Sequence, residues 1–358
     1  MLSFRSTEFP IDNVGRHSHN PGLMNLTYFE VREELFESEA LRENPAGDPS
    51  SRRIPVILPR TRGSLDLPGY PVLFLLAGFA GSGRQFLNYS AWSPSLPERL
   101  DRLRSRGLIG DLIVVCPDAF TLYGGSQYLN STATGRYEDM IVGDLVDWVG
   151  ARYPTLGRPQ HWAVGGKSSG GYGALVLGMR HPEVFGAVAC HSGDMYFDYS
   201  YRLDFPRLLR QLDRHGGLDG FMRAFFVAPK KTSELVLAMN IVAMAAAYSP
   251  SPAEPWRVKL PFDPETGEIR EDVWQRWLAQ DPIRLSERYA DNLRRLKLLY
   301  LDCGRQDQFH LQYGLRILRK KLAALGVPHH AEEFDDDHSD TSYRYEVSLP
   351  KLWEAIRP

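Results

Sequence analysis

Residues 164–174 read Val164-Gly165-Gly166-Lys167-Ser168-Ser169-Gly170-Gly171-Tyr172-Gly173-Ala174. Gly166, Ser168 and Gly170 spell Gly-x-Ser-x-Gly, with a short apolar run over 161–164 before them and a helix-like segment rich in small residues over 170–180 after. A serine on such a strand-to-helix turn sits in a strained backbone conformation. Its glycine neighbours must stay small, because a side chain there would collide with the adjoining strand and helix. In this setting the motif points to a nucleophile elbow. A phosphate loop is disfavoured, because no Gly-Lys-Ser/Thr follows a first glycine at the spacing such a loop needs.

Working outward, Pro71 to Ala77 (PVLFLLA) and Asp111 to Cys116 (DLIVVC) are continuous apolar runs, ended by Gly78 and by Pro117-Asp118. Apolar runs of that length without alternation suit strands covered on both faces, as in a parallel sheet. Pro97 to Gly107 between them is helix-like and completes a strand–helix–strand unit. The alternation continues with a helical pattern over 138–153 and strands over 161–164, 186–191, 296–302 and 329–334. A further helix is predicted over 312–325, and two early strands over 25–32 and 53–58. Together with the elbow this predicts an α/β-hydrolase fold with a mostly parallel central sheet flanked by helices. The pattern breaks over 192–281, where helix-like pieces at 205–215, 218–227, 232–248 and 271–280 are interrupted by the proline-rich stretch 249–256. The expected organisation is a core of 1–191 and 282–358, with 192–281 as a helical insertion capping the sheet's carboxyl edge.

An elbow serine needs a base and an orienting acid, which in this fold follow it in the order Ser, Asp/Glu, His. The strand over 296–301 is followed by Asp302-Cys303-Gly304-Arg305-Gln306-Asp307-Gln308-Phe309, and the last strand by Asp335-Asp336-Asp337-His338. His338 is the candidate base. Asp307 is the favoured acid; Asp302, closer to the strand end, is the alternative, or a residue that fixes the turn through backbone N–H groups. The three consecutive aspartates read as a solvated loop that helps hold His338. An oxyanion would need two backbone donors: the N–H of Ser169, and one from the loop Ala77-Gly78-Phe79-Ala80-Gly81, with Phe79 the candidate.

Composition narrows the partners. The 358 residues are 43% hydrophobic and 24% charged with a net charge of −2, which gives no reason to expect nucleic acid or an anionic membrane. Residues 1–10 carry no apolar run, and the longest apolar stretch, 235–248, is too short to span a bilayer. Cys116, Cys190 and Cys303 lie in strand-like runs and read as small buried hydrophobes in a reducing compartment, the cytoplasm. The expected partner is a small-molecule ester, with no cofactor, no metal and the option of a homo-oligomer.

These residues resemble the putative esterase family, which includes S-formylglutathione hydrolases, mycolyltransferases and siderophore esterases, and within it the enterochelin-esterase-like bacterial esterases. The matching segments are 44–49 with 53–59, 71–83, Asp118-Ala119, Gly124 to Ser131, 135–149, the elbow, His181 to Gly186, Asp302 to Phe309 and the His338 loop. The resemblance implies a triad of the elbow serine, the aspartate before Gln-Phe and the loop histidine, which fall on Ser168, Asp307 and His338. Two departures stand out: the family often carries His-Gly or Asp-Gly where this chain has Ala77-Gly78, and residues 192–281 match no well-known member.

Short-chain or aryl carboxylic esters are the expected substrates, with siderophore, feruloyl and acetylated-sugar esters open. Phe221, Phe225, Met239 and Met244, with Phe226, Leu235 and Ile241, are candidates for an apolar pocket wall, although at helical spacing such residues more often form the insertion's own core. Rival readings are an acyltransferase with the same triad and a non-catalytic binding protein on this scaffold. A metal-dependent hydrolase built from 335–338 with His17 and His19 lacks clear ligand spacing.

Overall fold

The computed structural model describes residues 26–60 and 68–358; the opening ten residues and His17 and His19 lie outside the described residues. Ten strands form: β1 Phe29–Glu37, β2 Ser51–Pro59, β3 Val72–Leu76, β4 Ile113–Val115, the short ribbon β5 Asn130–Ser131 and β6 Gly135–Arg136, β7 Trp162–Lys167, β8 Ala187–His191, β9 Leu298–Gly304 and β10 His330–Phe334. Eight of them make one sheet in the order β1-β2-β4-β3-β7-β8-β9-β10. All neighbours from β4 to β10 in that order pair in parallel, and β2 alone runs against its neighbours. This mostly parallel sheet with helices on both faces is the α/β-hydrolase architecture expected from the sequence.

The uninterrupted apolar runs behave as strands covered twice. Along β3, Val72, Phe74 and Leu76 enter the larger apolar cluster on one face. Leu73 and Leu75 enter the cluster on the other, beneath helices Leu96–Ser105 and Tyr345–Ile356. Successive side chains of a strand point to opposite faces, so only a strand buried on both sides can be apolar throughout. Helix Leu96–Ser105 opens on a capping box, with Glu98 N–H bonded to the Ser95 side chain and the Glu98 carboxylate returning to Ser95 N–H.

Three of the differences from the expectation have a plain physical cause. β1 runs to Glu37, beyond the predicted 25–32, because it pairs with β2 over nine residues; the charged residues Glu33, Glu34 and Glu37 hid this extension. The helix predicted over 138–153 has a widened π turn at Met140–Leu145 between helical pieces Tyr137–Asp139 and Val146–Arg152. The last helix, Tyr345–Ile356, was not predicted, because Pro350 interrupts its pattern; the structure keeps the proline inside the helix.

Between β8 and β9 lie helices Phe205–His215, Leu218–Val227, Ser233–Tyr248 and Glu271–Leu278, close to their predicted bounds. Their apolar faces join the same cluster that covers β3 and β7, so this segment shares the core and does not fold around a separate one. Phe221, Met239 and Met244 are buried in that cluster and Phe225 is packed against it.

The carboxyl end of the elbow helix is tied down by charge. Glu138 bonds Arg180 Nη1 at 2.7 Å and His181 Nε2 at 2.9 Å, and Arg180 Nη2 reaches Gln280 Oε1 at 2.7 Å. Burial works against both charged forms, but the contacts win. Glu138 is held below its ordinary 4.5, and His181 above its ordinary 6.5. The lowered carboxyl stabilises the fold above the unfolded Glu value and loses that effect as pH falls through its folded value. The raised imidazole stabilises below 6.5 and loses that effect as pH rises through its folded value. Glu138→Gln should therefore lower stability by roughly 1–3 kcal/mol. The deficit in thermal melting should be largest between about pH 4.5 and 6.5 and shrink on either side; a deficit constant from pH 4 to 9 would contradict the assignment.

Candidate active site

β7 ends at Lys167 and helix Ser169–Arg180 begins two residues later, so Ser168 alone makes the turn, at φ 58° and ψ −127°. A non-glycine residue at such a φ is strained. It is held by Ser168 N–H donating to His191 O at 3.0 Å and Tyr172 N–H donating to Ser168 O at 2.8 Å. The flanking glycines are required by space. A Cβ at Gly166 would lie 2.8 Å from Leu76 O, and one at Gly170 would lie 2.7 Å from Ala77 O. Both obstacles are backbone, so neither can move aside.

The loop after β3 comes up against the same turn: a Cβ added to Gly78 would touch Lys167 O and the Ser168 Cβ at 3.4 and 3.5 Å. Tyr128 OH donates to Ala77 O at 2.7 Å, and Ala80 N–H donates to Gly124 O at 3.0 Å. The N–H groups of Phe79 and Ser169 have no acceptor among the described residues.

The two late loops meet here. His338 Nδ1 lies 2.7 Å from Asp307 Oδ2, with the carboxylate fully buried. The other oxygen of Asp307 accepts Phe309 N–H at 2.9 Å, and Cys303 Sγ–H reaches Oδ2 at 3.6 Å. His338 N–H donates to Gln308 Oε1 at 2.8 Å, and the Phe309 ring packs edge-on against the imidazole, 4.8 Å between centroids. The acidic loop before His338 is self-bonded: Asp336 accepts Asp337 N–H and Tyr343 OH, and Asp337 accepts Ser339 N–H.

Asp302 serves another purpose. One oxygen accepts His191 Nδ1–H at 2.8 Å; the other accepts Tyr300 OH and Arg344 Nε–H, each at 2.9 Å. It bonds no turn N–H, which corrects the expectation that it fixes the turn. Its partners are side chains because it still lies within β9, paired across to Glu332.

A cavity of about 500 Å³ opens at the carboxyl ends of β3, β7 and β8. Ser168, Ser169, Phe79 and His338 all line it, so the structure brings these four residues to one place, with Asp307 behind the imidazole. None of Phe221, Phe225, Met239 and Met244 lines it. They face the apolar core, and helix Ser233–Tyr248 instead offers Val236, Leu237 and Asn240. Lys167 is also at the cavity; burial pulls its ammonium below the ordinary 10.5 against the opposing pull of Asp307, Asp340, Asp337 and Asp336. Asp194, Ser200 and Tyr201 line it too and were not singled out in the sequence. The available signal was position, since Asp194 follows directly after β8 at the carboxyl edge where open parallel sheets bind ligands. Among the described residues no group of three or more His, Cys, Asp or Glu is placed to hold a metal ion.

A serine on a strained turn, a histidine paired to a buried carboxylate and two free amides around one cavity can together perform nucleophilic acyl transfer. A family model described as Putative esterase matches residues 49–351. An esterase of Mycobacterium tuberculosis is 28% identical over 195 residues, a match covering 53% of this chain and 36% of that protein, so the chain spans little more than a third of the relative's length. Among solved structures, a ferulic acid esterase superposes with TM-score 0.59 at 19% identity, covering 92% of this chain and 100% of that one. An S-formylglutathione hydrolase from Agrobacterium tumefaciens gives 0.55 at 17%, covering 92% and 95%. At these identities the structural likeness speaks for the fold alone.

The two aspartates should separate in measurement. Asp307→Asn should lower turnover by about 10⁴-fold by misplacing the imidazole proton. Asp302→Asn should act mainly on stability, by about 1–3 kcal/mol, because it weakens the buried bonds to His191, Tyr300 and Arg344 while Arg344 keeps Glu332 as a counter-charge. Ester turnover with chemical denaturation of both variants checks this, and the reverse ranking would move the acid to Asp302.

Proposed function

We propose, from the premise that this chain belongs to the putative esterase family, that it hydrolyses carboxylic esters through an acyl-enzyme on Ser168. The observation that carries the reading is the left-handed Ser168 sharing one cavity with the Asp307-paired imidazole of His338.

His338 Nε2 takes the Ser168 hydroxyl proton as Oγ adds to the ester carbonyl, and Asp307 holds the Nδ1–H and offsets the charge of the imidazolium. The carbonyl oxygen becomes an oxyanion facing the N–H groups of Phe79 and Ser169, whose freedom from protein acceptors supports this role. The tetrahedral intermediate collapses as His338 returns the proton to the leaving alkoxide, freeing the alcohol. A water molecule then gives a proton to His338 and its oxygen to the acyl carbon. Collapse of this second intermediate regenerates the serine and releases the acid.

The cavity's size is that of a small-molecule site, which supports short-chain or aryl esters as substrates. The helices between β8 and β9 act as the cap, since Val236, Leu237 and Asn240 close one side of the cavity. Cys116, Cys190 and Cys303 are all buried and unpaired, which supports the cytoplasmic placement. Among the described residues no helix is long and apolar enough to cross a membrane.

Ser168→Ala, assayed on 4-nitrophenyl esters of graded acyl length, should lose about 10⁴- to 10⁶-fold in kcat with an unchanged melting profile. Turnover within tenfold of wild type in that variant would end the proposal.

A further inference from the structure

The described part of the chain buries four aspartates almost completely: Asp194, Asp281, Asp302 and Asp307. In three of them both carboxylate oxygens are engaged. Asp281 takes Tyr196 and Ile283 N–H on one oxygen and Phe197 N–H on the other. Asp302 and Asp307 divide their donors between two oxygens, as described above. Asp194 does not. Gln127 Nε2, Tyr201 OH and Ser169 Oγ all donate to its Oδ2, at 3.1, 2.8 and 3.2 Å, and its Oδ1 has no donor among the described residues. Burial pushes this carboxyl above its ordinary value, against the opposing hydrogen bonds from Gln127 and Tyr201. No arginine or lysine among the described residues is paired with it.

Its neighbours carry the same imbalance. Ser200, 94% buried, lines the same cavity and has a hydroxyl with no partner among the described residues, and the carbonyl oxygen of Gln127, whose amide holds Asp194, is likewise buried and unpartnered there. Asn240, on the helix above, completes this side of the cavity. Three donors on Oδ2 leave Oδ1 free for a partner in the cavity, and the unmade bonds of the buried Ser200 hydroxyl and Gln127 carbonyl oxygen cost about 1–3 kcal/mol each. A site that awaits a polar group from outside leaves such bonds open.

We infer that Asp194, with Ser200, is a specificity-determining pair that binds a hydroxyl or amino group on the acyl part of the ester. The inference rests on the acyl-enzyme reading above. Asp194 feels the charge of His338 but is bonded directly to Ser169, the residue whose N–H is assigned above to the carbonyl oxygen, and this bond is why we place its ligand on the acyl part. A donor on a carbon close to the acyl carbonyl, such as a 3-hydroxyl, would meet Asp194 Oδ1 and could accept from Ser200 Oγ–H.

The test compares kcat/KM for 4-nitrophenyl butanoate and 4-nitrophenyl 3-hydroxybutanoate, both enantiomers, in wild type, Asp194→Asn and Ser200→Ala. A second pair, ethyl and 2-hydroxyethyl butanoate, places the hydroxyl on the alcohol instead. Wild type should prefer one enantiomer of the hydroxylated acyl ester by about 10- to 100-fold, the worth of a hydrogen bond to a charged group. Asp194→Asn should bring that ratio down to about threefold or less, since the amide can turn a donor toward the substrate, and Ser200→Ala should give an intermediate ratio. Turnover of plain butanoate with a wild-type ratio near one would overturn this inference and leave the esterase reading standing. So would a preference that Asp194→Asn leaves intact, or one that follows the hydroxyl onto the alcohol. Turnover of neither ester would overturn both. If Asp194→Asn does not fold, the wild-type ratio and its fall in Ser200→Ala decide the matter.

Discussion

Everything at the site depends on one residue being held where its backbone does not favour it. A non-glycine residue at positive φ costs on the order of 1–3 kcal/mol, and Ser168 bears that cost so that its hydroxyl stands clear of the sheet at the head of a helix. The strain is offset by what surrounds it. The elbow helix is buried from Ser169 to Met179, and the strand ends on either side leave glycine-sized gaps at Gly166 and Gly170. Substituting alanine at either glycine would drive a methyl into main-chain oxygen, so the turn has no softer alternative.

The same constraint explains why two aspartates five residues apart differ so much. Asp302 faces inward from β9 and anchors His191, whose imidazole also bonds Ser348 on the last helix. The carbonyl of His191 is the acceptor that holds Ser168 N–H. This inward network therefore fixes β8, the neighbouring strand whose His191 carbonyl holds the elbow. Asp307 lies past the strand's end, where the chain has turned outward far enough for its carboxylate to reach the imidazole of a separate loop. Distance from the strand end, not acidity, divides structure from chemistry here.

Most of this was legible in the sequence. Apolar runs without alternation gave the central strands, and Gly-x-Ser-x-Gly between a strand and a helix gave the elbow; the serine and the histidine line one cavity, with the favoured aspartate bonded behind the imidazole. What was hidden had physical causes. The second half of β1 carries Glu33, Glu34 and Glu37 along an edge, so its strand character comes from pairing with β2, not from apolar content. The pocket wall could not be read because helix Ser233–Tyr248 is apolar almost all round, and periodicity does not show which face meets the cavity. It turns Met239 and Met244 into the core and Val236, Leu237 and Asn240 toward the site. Asp194 was missed because a single acid after a strand has no spacing partner in the sequence; its company is assembled from Gln127, Ser169 and Tyr201, far apart along the chain.

Reaction with a fluorophosphonate followed by peptide mass spectrometry asks whether His338 activates the hydroxyl of Ser168 and of no other residue. The expected result is a single phosphonylated site at Ser168, formed at a rate that falls by at least about 10³-fold in His338→Ala. Labelling at another residue, or at Ser168 with a rate indifferent to the loss of the imidazole, would contradict it.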